Sequence, residues 1–245
     1  ADFAMATDPD ADRLGVALRT GSGDYVLLNG NQTLVLLMSY QLTRWAELGK
    51  ITGKEFVVKT IVTSMMPDAI AEHYGVKCYN CLTGFKYIAK IIREQEGKTK
   101  YIGGGEESFG YLAGDYVRDK DGVSAITLVA EAAAWARETM GITLYEWLQQ
   151  LYVKYGFYRE GLVNVVRKGK DGAAEIQQMM VDYRQNPPKS ILGSPVVKIL
   201  DYKTLEELDV ATGAKKPIEG IDDKSNVLQW ITEDGTKVSV RPSGT

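Results

Sequence analysis

A single histidine, His73, and two cysteines, Cys78 and Cys81, are all the imidazole and thiol this 245-residue chain contains. A Ser-His-Asp arrangement has little to build on, because His73 follows Glu72 at the end of a short amphipathic segment. Cys78 and Cys81 have C-x-x-C spacing, but Cys78 falls inside a strand-like run, whereas a redox pair of that kind opens a helix. Zinc would still lack a fourth ligand. The expectation is two buried structural thiols in a reducing cytoplasm. Positive charge is not in excess either. The net charge of −3 and the lack of a basic stripe argue against nucleic acid as a partner. No apolar run reaches the length of a membrane span, and no signal peptide opens the chain. It starts with Ala1 at the edge of a strand and ends with Thr245 in a loop, which gives the expectation of a piece of a longer protein.

What the chain does have is three aspartates on alternating positions, Asp8, Asp10 and Asp12, followed by Arg13. They come directly after a strand-like run over 2–6. Side chains two apart in an extended segment point the same way, at a rise of roughly 3.3 Å per residue. Pro9 stiffens the segment and Ala11 does not obstruct it, so a modest bend brings the carboxylates together. Three like charges that close repel unless a cation neutralises them. An all-oxygen set favours Mg²⁺ or Ca²⁺. A calcium loop of the EF-hand kind is excluded, because its sixth and twelfth positions hold Arg13 and Arg19. A solvated acidic turn is the plain alternative. Arg13 beside a metal site points to a further bound anion such as a phosphate.

Hydrophobic periodicity gives an alternating pattern. Residues 1–28 read as a strand, the acidic loop and a hairpin (14–18 and 25–28), too little for a domain and so the tail of one. A helix over 32–48 is capped by Asn31 and stopped by Gly49. Strand 56–63 leads to helix 67–74, strand 76–81 to helix 85–96, and strand 100–102 to helix 123–139, with a further helix over 144–155. Such alternation predicts an α/β layer with a mixed, mostly parallel sheet and flanking helices over 29–155. From 156 to 245 the rhythm changes to a separate α+β domain: strand 162–167, helix 173–183, strand 196–202, a polar stretch to Lys224, and a hairpin over 227–232 and 237–240.

Four further segments offer chemistry. The glycine run 103–105 leads into Glu106, Glu107 and Ser108, where an acceptor and a hydroxyl on one side of an extended loop suit vicinal sugar hydroxyls. It is neither a dinucleotide fingerprint nor a P-loop, and a glycine-rich turn is the plain alternative. Arg241 with Ser243, Gly244 and Thr245 offers a guanidinium fork, hydroxyls and backbone N–H groups to a phosphate; an ordinary Pro-Ser-Gly turn is its alternative. Lys120, flanked by Asp119 and Asp121, decorates a surface or, in a closed polar pocket, serves as general acid and base. Thr83 and Gly84 form a strand-to-helix turn that either contacts substrate or simply starts a helix.

Taken in order, Asp8-Pro-Asp-Ala-Asp-Arg13, Thr83-Gly-Phe-Lys86, Gly105-Glu-Glu-Ser-Phe-Gly110, Arg118-Asp-Lys-Asp-Gly122 and Arg241-Pro-Ser-Gly-Thr245 resemble the α-D-phosphohexomutase family. The resemblance covers the whole chain and is closest to the phosphoglucomutase branch. It implies the end of domain 2 (1–28), domain 3 (29–155) and most of domain 4 (156–245) of a four-domain enzyme. By the same resemblance Asp8, Asp10 and Asp12 ligate Mg²⁺, and Arg13 helps hold the phosphoryl group. Lys120 is the general acid/base, Thr83 and Gly84 help position the sugar, and Glu106 and Ser108 grip its O3 and O4 hydroxyls. Arg241, Ser243, Gly244 and Thr245 bind the phosphate that is not transferred.

The implied reaction interconverts hexose 1-phosphate and hexose 6-phosphate through phosphoserine and a 1,6-bisphosphate, with glucose 1,6-bisphosphate as activator. The phosphoserine motif of domain 1 is not in this chain, so the expected partners are a phosphosugar and the N-terminal domains, and the chain alone is expected to be inactive. Gly-Glu-Glu-Ser-Phe-Gly resembles glucose-type enzymes. Phosphomannomutase and phosphopentomutase activities are the alternatives within the family. Outside it stand an aspartyl-phosphate phosphatase using the Asp-x-Asp loop and a non-catalytic sugar-phosphate or metal-binding module.

Overall fold

The computed structural model describes residues 1–243. Two compact units divide the chain, Ala1–Glu160 and a second from Gly161 onward.

The first unit opens with β1 (Phe3–Thr7), β2 (Leu14–Arg19) and β3 (Tyr25–Leu27), an antiparallel sheet in that order. Helix α1 (Gly30–Glu47) follows. Its cap is Asn29 rather than Asn31, because Asn29 and Gln32 close a reciprocal capping box that satisfies two otherwise orphaned N–H groups. Next come β4 (Glu55–Thr60), α2 (Met66–His73), β5 (Lys77–Cys81), α3 (Phe85–Glu94), β6 (Lys100–Gly105) and β7 (Tyr111–Ala113). Helix α4 (Gly122–Trp135), a π-turn (Ala136–Met140) and α5 (Leu144–Tyr155) complete the unit.

The second sheet has the order β5-β4-β6-β7. Strand β4 pairs in parallel with β5 and β6, while β7 returns antiparallel to β6. Every residue of β4 is buried, as expected of a parallel strand covered on both faces. One core joins α1, α4 and α5 through Leu34, Met38, Val129 and Leu148, and Val57 of β4 belongs to it. A smaller core packs α3 through Phe85, Ile88 and Ile92 against Phe56 and Val58. The mixed, mostly parallel sheet with flanking helices is the expected α/β class.

The glycine run and the residues after it differ from the sequence reading. The glycines at 103–105 are not a loop but the end of β6, held between β4 and β7. Strand β7 itself was not anticipated, being three residues long with its pairing supplied by β6.

The second unit contains α6 (Gly169–Gln185), β8 (Ser190–Ile191), β9 (Ser194–Asp201), β10 (Glu206–Asp209), β11 (Lys215–Pro217), β12 (Leu228–Thr232) and β13 (Lys237–Val240). Its antiparallel sheet runs β11-β10-β9-β12-β13, with β8 paired to β9. Met180, Val196, Leu228 and Trp230 form its core. Residues 162–167 are not a strand, since nothing among the described residues pairs with them. Conversely β10 and β11 occupy part of the stretch read as merely polar. Their side chains are mostly charged, so no alternating apolar pattern announces them. No helix among the described residues is long and apolar enough to cross a membrane.

Candidate active site

The aspartate loop joins β1 to β2. Ala11 adopts a left-handed φ of 57°, its N–H donates to the Asp8 carbonyl at 3.0 Å, and the Arg13 N–H donates to Asp8 Oδ1 at 3.1 Å. This bend gathers the carboxylates. One oxygen from each of Asp8, Asp10 and Asp12 lies within 4.8 Å of the others. Three carboxylate oxygens at that spacing fit a hard divalent cation such as Mg²⁺.

Segments far apart in sequence hold the loop in place. The Gly122 N–H donates to the Ala11 carbonyl and the Leu14 N–H to the Phe109 carbonyl, each at 3.0 Å. Gly122 has to be glycine for this approach, as a Cβ there would stand 2.7 Å from the Ala11 oxygen. The contact delivers Lys120, just before α4, to the carboxylates. Its Nζ lies 2.7 Å from Asp12 Oδ2 and 3.3 Å from Asp119 Oδ1, with the side chain only 17% exposed. Burial acts to lower the pKa of this ammonium, but the hydrogen bond to Asp12 and the charge of Asp119 outweigh it, and the net movement is upward. Lys120 is therefore a proton-bearing group at neutral pH. Arg13, half-exposed, reaches Asp12 Oδ1 at 3.7 Å.

The loop after β6 forms another wall. Ser108 Oγ donates to Glu106 Oε2 at 2.9 Å, and the Glu106 N–H bonds the Gly110 carbonyl. Burial raises the Glu106 carboxyl's pKa and Glu107 adds to it, while the Ser108 hydrogen bond and the charges of Lys120 and Arg13 act the other way; the net movement is upward. Both cations thus bear on Glu106 as well as on the aspartate loop. Thr83 and Gly84 form the turn from β5 into α3, with Gly84 as the N-cap at φ 113°. The next residue, Phe85, lies under Lys120 Nζ at 5.8 Å from the ring centre. Asp8, Asp10, Asp12, Arg13, Lys120, Glu106 and Ser108 are thus brought together, with the Thr83–Gly84 turn beside them.

Arg241 and Ser243 belong to the second unit, where both are exposed after β13. Gly244 and Thr245 lie outside the described residues. The cysteines are unpaired. Burial pushes the Cys78 thiol well up and Cys81 up to about 12, so neither is a thiolate at neutral pH. Two participants escaped the sequence reading. Asp119 was seen only as a flanking acid, yet it bonds Lys120. Phe85, read as the start of a helix, supplies the ring beneath that lysine. No periodicity signals either role.

Comparison with known proteins bears on the family and the fold. Residues 29–155 match the phosphoglucomutase/phosphomannomutase alpha/beta/alpha domain III. A phosphoglucomutase of Staphylococcus aureus (strain N315) is 35% identical over the whole chain, which spans 43% of that relative. The chain thus covers less than half the length of the curated relatives it matches. Among solved structures, a phosphomannomutase described as putative from Thermus thermophilus is 27% identical with a TM-score of 0.52, covering 68% of this chain and 35% of that one. The open form of parafusin, a phosphoglucomutase from Paramecium, shares the fold at a TM-score of 0.60 and 18% identity, over all of this chain and 38% of that one. With more than half of its length matched by that domain, the chain belongs to the phosphoglucomutase/phosphomannomutase family.

Proposed function

We propose that the polypeptide carrying this chain interconverts hexose 1-phosphate and hexose 6-phosphate, with glucose preferred. One observation carries the reading: backbone bonds from Gly122 and Phe109 bring the aspartate loop, Lys120 and the Glu106–Ser108 loop to one place. The substrate assignment draws on relatives named phosphoglucomutase and on the Gly105–Gly110 motif. We place the enzyme in the cytoplasm, in keeping with its two unpaired cysteines.

In this reading Asp8, Asp10 and Asp12 hold Mg²⁺, which when bound offsets charge at the reacting phosphorus and stabilises the transition state. The sugar O6 hydroxyl attacks a seryl phosphoryl group supplied by a domain outside this chain. The new O6–P bond forms as the serine O–P bond breaks. Lys120, held as an ammonium by Asp12, gives a proton to the departing serine oxygen. It is reprotonated by the one the attacking O6 hydroxyl releases, so the proton count is unchanged over the transfer. Arg13 pairs with the transferring group, while Glu106 and Ser108 hold the sugar O3 and O4 hydroxyls so that attack stays in line. Arg241, Ser243, Gly244 and Thr245 bind the other phosphate. The 1,6-bisphosphate then turns over and returns its 1-phosphoryl group to serine.

The test follows phosphorus NMR signals of glucose 1-phosphate with the full-length polypeptide, Mg²⁺ and catalytic glucose 1,6-bisphosphate. Conversion to the 6-phosphate with label on serine is expected, and the chain alone gives no turnover. Label trapped on Asp8 would replace this reading with an aspartyl-phosphate phosphatase. Equal rates with mannose and ribose 1-phosphates would remove the preference for glucose.

A further inference from the structure

Glu107, between the two residues assigned to the sugar, turns its side chain elsewhere. Its Oε2 accepts from Thr60 Oγ1 at 3.0 Å and Thr63 Oγ1 at 3.2 Å, and those hydroxyls stand 2.8 Å from each other. Both threonines are fully buried at 0% exposure. Two hydroxyl hydrogens serve three short contacts, so either both reach the carboxylate or one threonine relays to the other. A hydrogen bond to a charged acceptor in such a place is about twice as strong as a neutral one. The anchor itself is rigid. Thr60 ends β4, Thr63 N–H donates to the Thr60 carbonyl, and the Ile61 N–H bonds the Cys81 carbonyl at the end of β5. On the other side, Gly30 at the start of α1 lies against the loop so closely that a Cβ would meet the Glu107 carbonyl oxygen at 2.0 Å.

We propose that Glu107 is a positioning residue: its carboxylate, locked to Thr60 and Thr63 at the C-terminal end of β4, keeps Glu106 and Ser108 turned together toward the sugar. The wider role rests on the mutase reading, but the anchoring does not. The metal loop keeps a hold that does not depend on Glu107, the bond from the Gly122 N–H to the Ala11 carbonyl.

Two measurements test this on E107A, E107Q and the near-isosteric double variant T60V/T63V. In the chain itself, hydrogen exchange at the 105–109 amides is expected to speed up about tenfold or more in E107A and T60V/T63V. The Ala11 and Arg13 amides should stay unchanged, and E107Q should fall between. In the full-length polypeptide, KM for glucose 1-phosphate is expected to rise about tenfold in E107A with kcat lowered less. E107Q should partly restore it, and Mg²⁺ affinity by calorimetry should not move. Unchanged exchange at 105–109, or sugar and Mg²⁺ affinity falling together, overturns the proposal. Wild-type polypeptide that exchanges slowly at 105–109 but turns over no hexose phosphate counts against the mutase reading and leaves the anchor to be decided by the exchange data.

Discussion

Asp12 faces two demands at once, since it pairs with Lys120 and offers an oxygen to the cation site. An ammonium about 4 Å from a doubly charged cation repels it by about 2 kcal/mol in a water-like medium. Lys120→Met should therefore tighten Mg²⁺ binding about thirtyfold, while Asp10→Asn should weaken it, both read by calorimetry. Glu55 is a contrasting carboxylate with only a structural part. It accepts from the Thr52, Gly53 and Lys54 N–H groups and from the Thr52 hydroxyl. Burial raises its pKa, but those hydrogen bonds prevail and the net movement is below 4.5. A depressed folded value means the stabilisation is whole above pH 4.5 and is lost as pH falls through the folded value. Glu55→Gln should cost about 2 kcal/mol near neutrality, and the gap to wild type in denaturant midpoint should narrow in acid. A gap that widens in acid would contradict the assignment.

Among the elements, α1 presses its first turn on the loop that carries Glu106. Gly30→Ala places a methyl group in the Glu107 carbonyl; about 1–3 kcal/mol of destabilisation is expected, read as a lower melting temperature. The buried Lys59 on β4 pairs with Asp68 on α2 at 3.1 Å, and Asn80 on β5 also donates to Asp68. Asp68→Ala leaves that ammonium unpaired in the interior and should cost about 3 kcal/mol or more, whereas Lys59→Met with Asp68→Leu should be near neutral. Both are read from denaturant unfolding.

Much of this level was legible in the sequence. The expected helix over 144–155 has those bounds in the structure, where Thr143 and Glu146 close a capping box at its start. The reading failed where local pattern and pairing disagree. Leu162, Val163, Val165 and Val166 look like a strand but find no strand partner among the described residues and stay exposed. The charged β10 and β11 look like a loop but are paired. For β10 the pairing is local, a hairpin with β9 that joins residues 199–208, and what hides it is the charge of its side chains, which gives no apolar alternation.

At the scale of the whole molecule, the second compact unit begins with an exposed segment without regular structure, residues 161–168. Brief proteolysis is expected to cut there first and leave the first unit intact; cutting within 30–155 instead would contradict that division. The site was legible only as an ordered set of short motifs. That Asp12 and Lys120 touch is a consequence of Gly122 meeting Ala11, and nothing in either motif alone specifies it. The central claim is that a cation on the aspartate loop and a sugar phosphate share one site. Substituting Mn²⁺ for Mg²⁺ in the full-length polypeptide and recording the phosphorus and ring-proton relaxation of glucose 1-phosphate tests it most directly. The account predicts strong paramagnetic broadening of the bound sugar that disappears in Asp10→Asn. Mn²⁺ binding at the aspartates with bound sugar left unbroadened would contradict it.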